Sequence, residues 1–119
     1  MKFNNVRLER DAQPALEFMG CKLAELSTRH GPKTRWTELT LWAADSDRAG
    51  WVVEVVGRSS NHGETDRRDA IPCDTRAEIE AALSRHGRLT IPGRQLIQEA
   101  VTKDEALSEL FESMEVERL

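Results

Sequence analysis

The sequence predicts a single α+β domain over residues 1–119. An N-terminal antiparallel sheet of four or five strands spans about residues 3–71, and two or three C-terminal helices span about 75–115. Three observations carry this reading. Apolar residues alternate with period two as far as Val56, they recur at helical spacing after Pro72, and Gly and Pro punctuate the segments between. Strands gathered first and helices afterwards segregate the helices from an antiparallel sheet. A chain of 119 residues is one domain's length and buries a core without staples.

In the first segment Val6, Leu8 and Arg10 alternate with their neighbours until Asp11-Ala12-Gln13-Pro14 breaks the run. Leu16 and Phe18 flank Glu17 ahead of Gly20. Cys21 to Ser27 either continues this strand past a bend at Gly20 or opens a short helix, and the strand is preferred. Arg29-His30-Gly31-Pro32-Lys33 is a turn cluster. The strongest strand signals are Arg35 to Ala43 (RWTELTLWA) and Trp51 to Val56 (WVVEVV). The polar loop Ala44 to Gly50 joins them as a β-hairpin. Gly57 to Gly63 is a turn. Glu64 to Ile71 reads as an edge strand, being too polar for a central one.

Past Pro72, Thr75-x-x-Glu78 is a capping box, and Ile79, Ala82 and Leu83 form a buried stripe. Gly87 stands where a helix C-terminal stop belongs, and Pro92 opens a second helix. Leu96, Ile97, Ala100 and Val101 make its apolar face, continued by Leu107, Leu110, Phe111 and Met114. Thr102-Lys103-Asp104-Glu105 is either a second capping box, splitting residues 92–115 into two helices, or a polar turn of one long helix.

Seventeen basic and 21 acidic residues give a net charge of −4, which argues against a free-standing, non-specific nucleic-acid binder. The acids concentrate in residues 99–119, and Glu105, Glu109 and Glu112 share one exposed helix side there. No apolar run is long enough to span a bilayer, and the start has no signal-peptide core. The expectation is a cytoplasmic protein with no membrane association. Cys21 and Cys73 are expected as reduced thiols. Neither forms a short chelate with His30, His62 or His86, so no metal is expected. No phosphate-binding loop, dinucleotide fingerprint or zinc-protease motif is present, and no cofactor is expected.

The hairpin is the most informative feature. Alternation puts Thr37, Leu39 and Leu41 on one face and Trp36, Glu38, Thr40 and Trp42 on the other. On the partner strand Trp51, Val53 and Val55 share a face, as do Val52, Glu54 and Val56. Both faces carry large apolar groups, so the second must be covered at least in part. Either the chain itself covers it, by a curled sheet or with helices on one side and N-terminal strands on the other, or a protein partner or second copy does, or the Trp residues stack on single-stranded nucleic acid. Trp36, Trp42, Val52 and Val56 are the candidate partner-binding residues.

Basic residues cluster twice. Arg29, His30, Lys33 and Arg35 crowd one turn and are the candidate nucleic-acid or anion site. Arg85, His86, Arg88 and Arg94 crowd the junction of the first two helices, where cations complement a helix C-terminus. His86 extends the Ile79/Leu83 stripe and is expected as a packed, hydrogen-bonded residue. Ser59, Ser60, His62 and Glu64 are the residue types of a hydrolase, but neighbours in one turn rarely converge, and no nucleophile elbow is present. No catalytic residue is assigned.

The segments Phe18-Met19-Gly20-Cys21-Lys22-Leu23-Ala24-Glu25, Trp36-Thr37-Glu38, Gly50-Trp51-Val52-Val53 and Asp74-Thr75-Arg76-Ala77-Glu78-Ile79 occur in this order. In that order the chain resembles a group of small actinobacterial proteins of unknown function, named for a C-terminal Glu-x-Leu-Asp-Ile motif. The resemblance covers about half the chain, whose own C-terminus reads Glu115-Val116-Glu117-Arg118-Leu119. It implies an actinobacterial, or actinobacterial phage or plasmid, origin, which agrees with thirteen Arg against four Lys. The functional expectation is a small, cytosolic, non-enzymatic interaction or regulatory protein that self-associates as a homodimer. A nucleic-acid-associated accessory protein is second, and a small hydrolase third.

Overall fold

Five strands pair antiparallel in chain order: β1 (Asn4–Leu8), β2 (Leu16–Ser27), β3 (Arg35–Asp45), β4 (Trp51–Ser59) and β5 (Arg67–Cys73). There follow α1 (Arg76–Ala82), a small hairpin of β6 (Ser84–Arg85) and β7 (Arg88–Leu89), then α2 (Ile91–Ala100) and α3 (Glu105–Glu112). The computed structural model describes residues 1–112, so Met114 and the expected helical residues 113–115 lie outside the described residues. The fold is the expected α+β arrangement, and Cys21 to Ser27 is strand.

The sheet is curled. β2 serves two partners, pairing with β1 along Leu16–Gly20 and with β3 along Met19–Ser27. At Gly20, where the partners change over, a Cβ would stand 2.4 Å from Phe18 Cε2, so the ring occupies the space a side chain would need. A bulge follows between Lys22 and Ala24, leaving both Leu23 and Ala24 buried and bending the strand. The chain after β1 therefore reaches the far edge of the sheet. Asp11 N–H donates to Arg68 O at 3.0 Å, Arg68 N–H donates to Asp11 Oδ2 at 2.8 Å, and Arg10 Nη1 donates to Ala70 O at 3.3 Å. The outer edge of β5 is thus paired at one end rather than open. Arg68 and Ala70 direct backbone groups outward, and Pro72, two residues further in the same phase, has its nitrogen on that outer side. Its missing N–H removes no bond to β4.

The two hairpin faces meet different fates. Leu39, Leu41, Ala43, Trp51 and Val53 pack with Leu23 and Cys73 against Ile79, Leu83, Leu96, Ala100, Leu107 and Phe111 of the helices. Leu23, Leu41, Ile79, Leu96 and Leu107 are at most 1% exposed, and each contributes about 1.5–3 kcal/mol of burial. On the other face Leu8, Val52 and Ala70 form a second cluster, with Val6, Leu16, Phe18, Trp42 and Ala44 packed on it. Residues of β1, β4 and β5 cluster there although β2 and β3 separate β1 from β4, so the sheet curls around this face and makes it concave. Helices thus cover one face, and N-terminal strands cover one end of the other.

Each helix starts on a side-chain cap. Thr75 Oγ1 accepts from Glu78 N–H at 3.1 Å while Glu78 Oε1 accepts from Asp74 N–H at 3.1 Å. Thr90 Oγ1 accepts from Gly93 N–H at 3.0 Å, with Pro92 in the first turn. The chain breaks between α2 and α3, and the cap there is Asp104 rather than Thr102: its Oδ1 accepts from Ala106 N–H at 3.0 Å.

The His86 expectation is corrected. α1 ends at Ala82, and residues 84–89 form a two-stranded hairpin with His86 and Gly87 at its tip, at φ 54° and 77°. Two successive positive φ values make a turn whose twist suits a two-residue hairpin. His86 is exposed there instead of packed on the stripe, and α1 carries no basic residue in its last turn for Arg85 or Arg88 to represent. Among the described residues no helix is long and apolar enough to cross a membrane.

Candidate functional site

Trp42 divides the concave face. On one side lies the apolar cluster, where the Phe18 ring meets Trp42 edge-on with centroids 6.0 Å apart. On the other side strand register sets Thr40 opposite Glu54, Glu38 opposite Val56 and Trp36 opposite Arg58, with Glu25 and Ser27 of β2 opposite Thr40 and Glu38. These positions other than Trp36 line an open groove of about 350 Å³, with Val56 in its floor and Lys22 and Glu25 along its β2 wall. Alternation explains the convergence on β3 and β4, and on β2 the bulge shifts the phase so that Lys22 as well as Glu25 and Ser27 faces the curl.

The groove's charges are mostly neutralised within the molecule. Lys22 Nζ lies 3.1 Å from Glu25 Oε2 and 5.5 Å from the centre of the Trp42 ring. Arg58 bridges two acids, donating from Nε to Glu38 Oε1 and from Nη1 to Asp66 Oδ2 at 2.7 Å. The Arg58 guanidinium, with Ser59 N–H, holds the Asp66 carboxyl below the usual carboxylate range. Glu38 and Asp66 in turn raise Arg58. Glu54 is different. Its Oε1 accepts from Trp42 Nε1 at 3.2 Å, and among the described residues no cation forms a salt bridge with it.

The four residues expected at a partner surface share this face but not one environment. Val52 and Val56 are only 2% and 4% exposed, Val52 within the apolar cluster and Val56 in the groove floor. Trp42 and Trp36 are half-buried, Trp42 as the partition and Trp36 with the Arg29 guanidinium 4.0 Å from its ring centre. The basic turn does not gather into one anion cradle. Arg35 is bound to Glu64, with Nη2 2.7 Å from Oε2, and Lys33 Nζ donates to Thr28 O at 3.2 Å. His30 is exposed.

The Ser59–Glu64 turn brings its residues together without a serine–histidine pair. Ser59 Oγ donates to Glu64 Oε1 at 3.0 Å, and His62 is exposed with no side-chain hydrogen bond to another described residue. Arg35 and then Asn61 hold the Glu64 carboxyl below its ordinary value. Cys73 is buried, and desolvation, aided by the Glu78 charge, pushes its thiol up to about 12. Among the described residues no group of three or more His, Cys, Asp or Glu is placed to hold a metal ion.

Sequence reading missed the groove-lining Glu38, Glu54 and Arg58. The signal was present: charged residues at the inward positions of the two strongest strands, alternating with Trp and Val, are out of place on a face that simply packs. No family model, curated protein or solved structure matches the chain.

Proposed function

We propose that this is a small, cytosolic, non-enzymatic interaction protein that takes an extended segment of a partner protein in the concave groove. The observation that carries the reading is the open groove itself, into which charged side chains of three strands converge on the one sheet face that the helices leave uncovered. The adjoining edge supports it. β1 pairs with β2 only as far as Gly20, so among the described residues the outer edge of β2 from Cys21 to Ser27 carries no strand, and an extended segment can add main-chain hydrogen bonds there. Large apolar residues exposed among the described ones are confined to Met1, Met19 and Ile91, which supports a polar groove contact over an apolar patch as the binding mode. The internal partners of Lys33 and Arg35 give the nucleic-acid reading less support.

The test is affinity capture from the source organism's lysate with wild type, Thr40→Trp to fill the groove, and Glu109→Gln as a distant control, each with and without nuclease. A protein retained by wild type and control but lost with Thr40→Trp supports the reading, and the chain itself as that protein identifies self-association. Equal retention by wild type and both variants overturns it. Prey lost on nuclease treatment moves the function to Arg29, His30, Lys33 and Arg35.

A further inference from the structure

Resting on the groove reading, we infer that its recognition point is Glu54, and that it takes one cationic side chain, preferentially an Arg guanidinium, carried by the partner's extended segment. The charge arrangement leads there. Of the groove's lining charges, Lys22 is matched by Glu25 and Arg58 by Glu38, leaving the Glu54 carboxylate without a cation. Glu54 is half-buried and flanked along its strand by the buried Val52 and Val56, so its charge is partly desolvated and an entering cation meets reduced screening.

The surroundings are arranged to receive a donor group. Trp42 Nε1 holds Oε1 and orients the carboxylate, leaving Oε2 without a partner among the described residues. Thr40 stands directly opposite Glu54 across the strands, and its hydroxyl makes no side-chain hydrogen bond with another described residue. A guanidinium has five fixed donors and can reach a carboxylate oxygen and a hydroxyl together, which a point-charge ammonium does less well. The Trp42 ring already attracts Lys22, so the neighbourhood favours cations. An anion would meet the unmatched Glu54 carboxylate.

The probe is a short β-forming peptide with a central Arg, compared with the same peptide carrying norleucine there, each titrated into the labelled full chain by NMR. The expected result is saturable shifts of the Trp42 indole N–H and the Thr40 and Glu54 amides, with the norleucine peptide about tenfold weaker or more. Glu54→Gln, whose amide oxygen still accepts from Trp42, should weaken the Arg peptide similarly, and Glu112→Gln should not. Affinity should fall with added salt. No saturable shift at millimolar Arg peptide overturns the cation site, as does equal binding by Glu54→Gln. Equal groove binding of both peptides removes the cation and leaves the groove reading standing. Partner capture unaffected by Thr40→Trp fails the groove reading itself.

Discussion

Trp51, the first residue of β4, donates its indole N–H to Asp104 Oδ2 at 3.0 Å, joining positions 53 residues apart. The same carboxylate's Oδ1 accepts from Ala106 and Leu107 N–H at 3.0 and 3.4 Å. One buried carboxylate, 7% exposed, therefore caps α3 and ties it to the sheet. That explains why the chain breaks at residues 102–104 instead of running on as one helix.

Removing that carboxylate should be costly. Asp104→Ala loses a cap and leaves a buried indole N–H unsatisfied, together ~2–4 kcal/mol. Asp104→Asn keeps an acceptor and should lose clearly less. Urea unfolding followed by Trp fluorescence measures both, and an alanine variant as stable as wild type would refute the account.

Gly20 should resist substitution for a reason of space. A Cβ there would stand 2.4 Å from the Phe18 ring, which is itself packed against Trp42. Gly20→Ala should destabilise by ~1–3 kcal/mol. Gly57→Ala is the control, because its Cβ would stand 3.6 Å from Arg67 Cβ, an ordinary contact. Thermal melts of the two variants decide it, and equal midpoints would sink the prediction.

Cys73 should be inert in the folded protein. Its thiol is raised from 9.0 to about 12, so the native state keeps it protonated where the unfolded chain ionises. The resulting stability is full below 9.0 and is lost as pH rises towards 12. With an aromatic disulfide reagent at mildly alkaline pH, the half-buried Cys21 should react first and Cys73 only on unfolding. The alkaline loss of stability should shrink in Cys73→Ala, and identical pH profiles would contradict the burial argument.

Glu64 and Asp66 carry the opposite sign. Both carboxyls are lowered from 4.5 and 3.8, by Arg35 and Arg58 respectively. Their stabilisation is present above those unfolded values and is lost as pH falls through the lower folded ones. Carboxyl-carbon NMR titration should show both midpoints depressed. Arg35→Gln should return Glu64 towards normal, and Arg58→Gln should do so for Asp66. Unmoved midpoints in those variants would discard the ion pairs as the cause.

Local features were legible in the sequence because short-range chemistry decides them. The hairpin faces, the Thr75–Glu78 box, Pro92 in the first turn of α2 and the edge character of β5 all follow from neighbouring residues. His86 was misread because a glycine serves equally as a helix stop or as the second turn residue of a two-residue hairpin. Asp104 was legible as one residue of a cap-like tetrad, but its indole partner lies 53 residues away.

By itself the sequence determined the α+β class, the order of sheet before helices and the two-faced hairpin, though not the small β6–β7 hairpin, since period-two and helical patterns are properties of consecutive residues. Which face the helices cover, and that the other becomes a groove with Glu54 on it, only the tertiary structure decided. The curl depends on the bulge at Leu23 and on Arg10 and Asp11 meeting Arg68 and Ala70 across the sheet. Contacts between residues so far apart in the chain leave no periodic trace in it.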